Sequence, residues 1–543
     1  MADRKLILNG KVAMMNANAT VLNDGYIFIQ GNRIVAVAPR LMPRPAGFDT
    51  IPVTRTGGTI FPGLMEMHNH LPYNILPMWE VSKKYDHRGQ WRSARGKRQN
   101  ISTPMSVLGA KKGLGPAIAR YAEAKCLMGG VTTTQGITLF SAPGIKKHFR
   151  GVTRNVEAPL EAVLPKASTK VPDVAANKLD SFHDALKRNS CFFLHLSEGI
   201  GPFARRHFLV LEKPDGTWAL ENSLTGIHAT GLTPPDFAEL ATAGASIAWS
   251  PLSNLLLYGG TTNVTAAKAA GVNIALGSDW SPSGSKNLLA ELKIAKSVSA
   301  DAGNLFTDHE LVEMATINAA KALKWDAHIG SLEGGKLADL FVVSGRRGDP
   351  YQRLLAAKET QISLVMVDGV ARIGRPALFA KLETPTEEVR IGRARRLLKL
   401  FDATDDVTFK ETTLAVATQT LSDAMQDLPA LQIEHEAEKE RKRLEREAGP
   451  LIGGSVPSST QTEAETGWFL FDDDEEHDDA LSELGLFDYT EATGPIMIGA
   501  SVPIVLIPMT LDPVTTVDDR HYYKRIKRAH NVPQHIKNDP NLG

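Results

Sequence analysis

The chain has 543 residues, 43% of them hydrophobic and 22% charged, which suits a soluble protein with one large core and additional segments. Its 61 basic residues balance 61 acidic ones, so a net charge of 0 offers no electrostatic footprint for nucleic acid. The only cysteines, Cys126 and Cys191, exclude a disulfide framework and a cysteine-based zinc site, and no apolar run reaches the roughly 18 residues of a membrane helix.

The first residues, Met1 to Lys5, lead into strand-like sequence without the long apolar stretch of a signal peptide, so a cytoplasmic location is expected. Residues 5–60 read as short strands, Lys5–Leu8, Lys11–Met14, Tyr26–Gln30 and Ile34–Val37. The turn-forming pairs Asn9-Gly10, Asp24-Gly25 and Gly31-Asn32 separate them.

The run Phe61-Pro62-Gly63-Leu64-Met65-Glu66-Met67 then delivers His68 and His70 at alternate positions. On a strand both imidazoles would point to one side, which is half of a metal site. Beyond it, helical and apolar stretches alternate: Tyr121–Leu127 before Val131–Thr134, Pro235–Ala243 before Ser246–Ala248, and Thr262–Ala270 before Ile274–Leu276. That rhythm indicates parallel α/β structure. It fits an open sheet or a closed eight-stranded barrel, and polar residues at the C-terminal ends of several strands favour the barrel.

Strand texture returns near residue 330, with Leu337–Val343, Ile362–Val367 and, after Asp368-Gly369, Val370–Ile373. Residues 381–543 form a C-terminal extension of different character. Glu434–Glu447 resembles an exposed helix, a Gly/Ser/Pro/Thr segment follows Gly449-Pro450, and the acidic run Asp472–Asp479 reads as a solvated loop or disordered link. Ser501–Met509 reads as ordered, and the basic stretch His521–Arg528 as packing on the domain or meeting a partner.

Polar residues follow the buried-strand patterns in a coherent set. His195 and Glu198 follow Cys191-Phe192-Phe193-Leu194, His228 follows Leu224-Thr225-Gly226-Ile227, and Asp279 follows the run from Val272 to Ser278. With these, the chain resembles the amidohydrolase superfamily, in particular the branch of cytosine and guanine deaminases and triazine chlorohydrolases. The resemblance spans roughly residues 5–380. It rests on Pro62-Gly63-Leu64 with His68 and His70, Ile227-His228, Ser250-Pro251-Leu252-Ser253-Asn254 and Gly277-Ser278-Asp279. Ala315–Ala320 and Gly330–Leu340 complete it.

This resemblance implies an α/β fold: a distorted (β/α)8 TIM barrel over 61–325 and a small β-sandwich from 1–60 with 326–380. It implies one divalent metal ion, zinc first and iron second, held by His68, His70, His195 and Asp279. Hydroxide generated at the metal would attack an sp2 carbon. Asp279 would take the water proton, Glu198 would pass a proton to the leaving nitrogen, and His228 would polarise the attacked carbon. Two-metal relatives usually add a carboxylated lysine on the fourth strand. Lys166 and Lys170 fall in that interval without a persuasive apolar strand, and the presence of Glu198 favours one metal, with two as the alternative.

The expected activity is an aminohydrolase or deaminase of a heterocyclic substrate. Amide or lactam hydrolysis by the same centre is an alternative, as is a noncatalytic interaction protein on this scaffold. The expected partners are a small-molecule substrate and further copies of the chain as a homo-oligomer, with neither nucleic acid nor membrane. Candidate substrate contacts are Tyr73, Trp79, His87 and Trp91 on the loop after His70, Asn155 and Glu157 on a third barrel strand, and Trp249 and Trp280 beside the later motifs. A loop after the first barrel strand covers the active-site mouth in such folds.

Overall fold

The computed structural model describes residues 4–139, 141–142, 144–149, 152–401, 412–447, 503–540 and 542. Its strands begin with β1 (Lys5–Ala13), β2 (Val21–Gln30), β3 (Arg33–Pro39) and β4 (Val53–Pro62). Eight short strands follow: β5 (Leu64–Glu66), β6 (Val131–Thr134), β7 (Arg154–Asn155), β8 (Ser168–Lys170), β9 (Phe192–Leu196), β10 (Leu224–His228), β11 (Ser246–Trp249) and β12 (Asn273–Leu276). The last group is β13 (Leu340–Ser344), β14 (Ile362–Val367), β15 (Val370–Gly374), β16 (Glu387–Ile391) and β17 (Ala394–Leu398).

The middle eight build the barrel. Strands β5, β6 and β7 pair in parallel, as do β8 to β12. Backbone hydrogen bonds stitch the two sheets: Met67 N–H donates to the Leu276 carbonyl at 3.2 Å, and Ala167 N–H to that of Val156 at 2.9 Å. The two- and three-residue lengths of β7 and β8 distort this ring on one side. Period-two alternation sends Phe193 and, on neighbouring strands, Ile227, Ala248 and Ala275 into one interior cluster with Met65 and Met67. Trp325, fully buried, joins that cluster and anchors its indole N–H on the Pro165 carbonyl at 2.9 Å.

The flanking strands form one nine-stranded sheet in the order β16-β17-β15-β14-β13-β4-β1-β2-β3. The antiparallel β4–β13 pair joins its N-terminal and C-terminal halves. This sheet runs on to Leu398, so residues past 380 add two strands to it. β1 also differs from the expected pair of strands, since it continues through Asn9-Gly10 with a register irregularity. Gly10 marks a close approach there rather than a turn, for a Cβ would lie 2.7 Å from the Thr56 hydroxyl and 2.8 Å from the Gly58 carbonyl.

The extension returns to the barrel. Helix Leu414–Gln426 packs on helix Leu114–Met128, and Leu428–Glu447 continues as the expected charged helix with Arg441 between Glu438 and Glu445. The acidic run Asp472–Asp479 and the Gly/Ser/Pro/Thr segment lie outside the described residues. Residues 503–509 carry no regular element, yet Ile504 and Leu506 are buried. The basic stretch becomes helix Tyr522–Arg528, whose Tyr522 and Ile526 pack with Leu252, Leu256 and Ile294 of the barrel helices. Among the described residues no helix is long and apolar enough to cross a membrane.

Trp325→Ala should lower the unfolding free energy by about 3–5 kcal/mol, because it empties a large volume at the barrel interior. Chemical denaturation measures this, and a loss below about 1 kcal/mol would show that Trp325 does not close the interior.

Candidate metal centre

The C-terminal end of β5 and the end of β12 meet in a reciprocal backbone exchange. Asp279 N–H donates to the His68 carbonyl at 2.8 Å, and His70 N–H donates to the Asp279 carbonyl at 3.0 Å. Two glycines permit the approach. A Cβ on Gly277 would lie 2.5 Å from that of His68, and one on Gly136 would lie 1.7 Å from the Asn69 carbonyl. His228 (φ 65°) and Asp279 (φ 62°) both hold left-handed backbone conformations unusual for their type. Such conformations turn a strand-end side chain away from its alternation and concentrate at functional sites.

The result is a dry cluster. Side-chain donor atoms of His68, His70 and Asp279 all lie within 4.8 Å of one another, as do those of His68, His195 and His228. His68 and His70 bring Nε2 to 3.2 and 3.5 Å from Asp279 Oδ1. All five residues are buried. Both ring nitrogens of His68, Nδ1 of His195 and Oδ1 of Asp279 have no partner in hydrogen-bonding geometry. Buried polar atoms are seldom left so, and a convergent group of them fits a cation as their common partner. Burial, reinforced by His68, pushes His70 down to about 3 and holds His195 well below the usual histidine range, so the rings stay in their neutral, ligating form. Burial would raise Asp279, but the facing His68 outweighs it and holds the carboxylate below its usual range. Three imidazole-bearing strands and one carboxylate form a donor set suited to a divalent ion of the zinc or iron kind.

A polar frame holds these groups. Ser253 donates to Asp279 Oδ2 at 2.6 Å, and Asn254 Oδ1 meets His228 Nδ1 at 3.0 Å. Glu66, pushed up to about 7 by burial, accepts from Ser278 N–H and Oγ. Asn69 donates to Ser278 Oγ and accepts from Asn74 Nδ2, which fixes the residue between the two histidines. Glu198 stands beside the cluster with Oε2 3.8 Å from His228 Nε2, while Tyr258 donates to Oε1 at 2.7 Å and Trp91 donates to Tyr258. Arg88 Nη1 lies 3.8 Å from the same carboxylate.

The other candidates divide. Trp280 stands 5.2 Å from the His70 ring, 5.3 Å from Tyr73 and 6.4 Å from Trp91, making an aromatic wall over the cluster. Trp79 packs at 6.4 Å on Tyr85 inside the covering loop, and its backbone N–H donates to the Pro282 carbonyl. His87 lines a cleft with Arg88, Asp173, Phe203 and His207 that reaches Glu198. Three candidates are not brought to the cluster. Trp249 faces the helical layer, on the alternate side of β11 from Ala248, and donates to Thr261. Asn155 accepts from Thr134, and Glu157 accepts from Gln135 and Gly136 N–H behind Asn69, so both brace the neighbouring strands.

Tyr258 and Arg88 were not among the sequence candidates. Tyr258 had a readable signal, since it lies one helical turn beyond Asn254 on helix Pro251–Tyr258 and so shares its face. Lys170 ends β8 in register with Leu194, a residue of the outer packing, whereas Thr169 pairs with the inward Phe193 and bonds Gln135. The fourth strand therefore presents threonine, not lysine, to the interior.

Fold and site together define a parallel-barrel protein with a histidine–aspartate cluster at the strand ends that could hold a metal ion. Residues 197–372 match the Amidohydrolase family, and the chain thus carries an amidohydrolase-family domain. It is 33% identical over 168 residues to a 5-methylthioadenosine/S-adenosylhomocysteine deaminase of Moorella thermoacetica, covering 29% of this chain and 39% of that enzyme. It is 25% identical over 389 residues to the enzyme so named in Symbiobacterium thermophilum, covering 64% of this chain and 86% of the relative. Among solved structures, the zinc-bound atrazine chlorohydrolase of Arthrobacter aurescens superposes with a TM-score of 0.56 at 20% identity, over 67% of this chain and 94% of that one. That likeness establishes the fold.

Tyr258→Phe removes the hydroxyl that serves both Trp91 and Glu198, and should cost about 1–3 kcal/mol of stability by leaving buried polar atoms unpaired. An unchanged denaturation midpoint would show that the relay carries no energy.

Proposed function

We propose that this chain is a hydrolase that uses one divalent ion, zinc first and iron second, to deaminate a heterocyclic amine. The observation that carries the reading is the pair of donor-atom groups that share His68, one with His70 and Asp279 and one with His195 and His228, in which buried atoms of His68, His195 and Asp279 lack hydrogen bonds, beside the Glu198–His228 pair. Threonine at the inward end of the fourth strand supports one ion rather than two. The family match and the deaminase relatives support carbon–nitrogen chemistry.

An ion held by His68, His70, His195 and Asp279 supplies the Lewis acidity that makes water nucleophilic near neutral pH. The chain's own groups then manage protons. Asp279 Oδ1, facing the cluster while Ser253 holds Oδ2, accepts the proton of the attacking water. Glu198, held by Tyr258, delivers a proton to the departing nitrogen so that ammonia leaves as the carbon keeps oxygen. With Nδ1–H donating to Asn254 Oδ1, His228 turns Nε2 towards the reacting group and Glu198, and a second proton taken up there makes an imidazolium that polarises the attacked carbon. The wall of Trp280, Tyr73 and Trp91 excludes water and presents π faces suited to a planar ring. The same reading carries the expectation of a cytoplasmic homo-oligomer, to be tested by sizing and cell fractionation.

Purified protein should contain about one tightly bound ion per chain, read by elemental analysis. Ammonia release should be screened with 5-methylthioadenosine, S-adenosylhomocysteine, guanine and aminotriazines, with amide and lactam substrates alongside. Asp279→Ala should abolish turnover with the fold retained, and Glu198→Gln should keep the metal while losing at least about 100-fold in kcat. No metal after reconstitution with zinc or iron would sink the mechanism, and full activity in either variant would contradict the assigned roles.

A further inference from the structure

We infer that the C-terminal extension is a working part of the metal centre, with Asp512 as a positioning residue for the first and eighth strand ends. This rests on the metal-centre reading above. Asp512 lies in the stretch that returns after residue 502, and its side chain is buried between two ammonium groups. Its Oδ2 accepts from Lys125 Nζ at 2.5 Å and from Lys286 Nζ at 2.6 Å. Its own N–H donates to the Ile75 carbonyl at 2.9 Å, and its carbonyl accepts from Tyr121. Lys286 also reaches Asp519 at 3.1 Å, so the second carboxylate of the pair comes from the extension as well.

The two lysines reach onward to the site. Lys125 Nζ donates to the Asn74 carbonyl and to Ser281 Oγ, each at 2.7 Å. Asn74 in turn donates to Asn69 Oδ1 at 2.8 Å and accepts from Ser281 N–H at 2.8 Å. Asn69 separates His68 from His70 and donates to Ser278, the neighbour of Asp279. Buried polar contacts thus run from Asp512 through Lys125 and Asn74 to Asn69. They clamp the segment after His70 to the segment after Asp279.

The chemistry requires the extension. Lys125 is a buried cation inside the barrel wall, and burial pushes it down to about 8 against the pull of Asp512. Without that carboxylate, Lys125 would face the buried Lys286 ammonium with no counter-charge of its own, since Asp519 reaches Lys286 alone, and the lysine that anchors Asn74 would be driven from its place. A second contact works on the same site from the other side. Tyr522, Ile526 and Ile536 of the extension pack against Leu252, Leu255 and Leu256, on the helix that supplies Ser253, Asn254 and Tyr258 to Asp279, His228 and Glu198.

The test uses the full chain and the metal alone as probe. Zinc affinity is measured by chelator competition in wild type, in Asp512→Asn, and in a combined Lys125→Met, Lys286→Met, Asp512→Leu variant that removes all three charges at similar volume. Both variants should bind zinc about 10–100-fold more weakly, the usual effect of losing groups that orient ligands. The combined variant should keep a near-wild-type thermal midpoint, which a merely structural role would pair with intact metal binding. Any activity found should fall in kcat with KM changed less than about 3-fold, as for an interaction that matters to ligand geometry rather than substrate contact. Wild-type zinc affinity in a folded variant would overturn the positioning role while leaving the metal centre intact. Failure of the wild type to bind zinc or iron would overturn both.

Discussion

Everything at the top of this barrel depends on the backbone exchange between His68, His70 and Asp279. Two hydrogen bonds, of 2.8 and 3.0 Å, pull the first and eighth strand ends into register and close the ring of strands at that seam. They also put two imidazoles and a carboxylate within one donor distance of each other. A slip of one residue would turn each side chain to the opposite face, so ligand geometry and barrel closure are one constraint. Gly277 and Gly136 have no Cβ because the neighbouring backbone occupies that space.

Electrostatics follow from this closure. The cluster is buried, so His70 and His195 stay neutral, while the facing His68 holds the Asp279 carboxylate below its usual range. The same dryness costs free energy unless each polar atom has a partner. Ser253 and Asn254 supply partners for Asp279 Oδ2 and His228 Nδ1, which leaves Asp279 Oδ1 and ring nitrogens of His68 and His195 for a ligand. The amidohydrolase-family match and the triazine-hydrolase-like fold place this arrangement among barrels of known type.

Much of this was legible in the sequence, for physical reasons. His68 and His70 followed an apolar strand at period two, and His195, His228 and Asp279 each ended a run of buried residues. The structure converges all five. Trp249 shows the limit, since adjacency to a motif says nothing about which face of β11 it occupies, and alternation sends it outward. Asn155 and Glu157 were assigned to the pocket by strand position, yet Asn155 Oδ1 is taken by Thr134 and Glu157 Oε1 by Gln135 and Gly136. Tyr258 shared a helix face with Asn254, a pattern open to inspection. Asp512 had no local signal at all, because its meaning comes from lysines 387 and 226 positions earlier in the chain.

That separation bears on how the protein is made. Synthesis runs from the N-terminus, and domains generally fold as units in that order. Here the strands of the barrel leave the ribosome long before Asp512. Until then Lys125 and Lys286 have no carboxylate to meet, and a barrel that closed early would have to bury both ammonium groups uncompensated. The barrel therefore lacks this charge compensation beside helix Leu114–Met128 until Asp512 and Asp519 have been made. Charge balance inside the barrel wall is thus supplied by residues far beyond the barrel's own sequence.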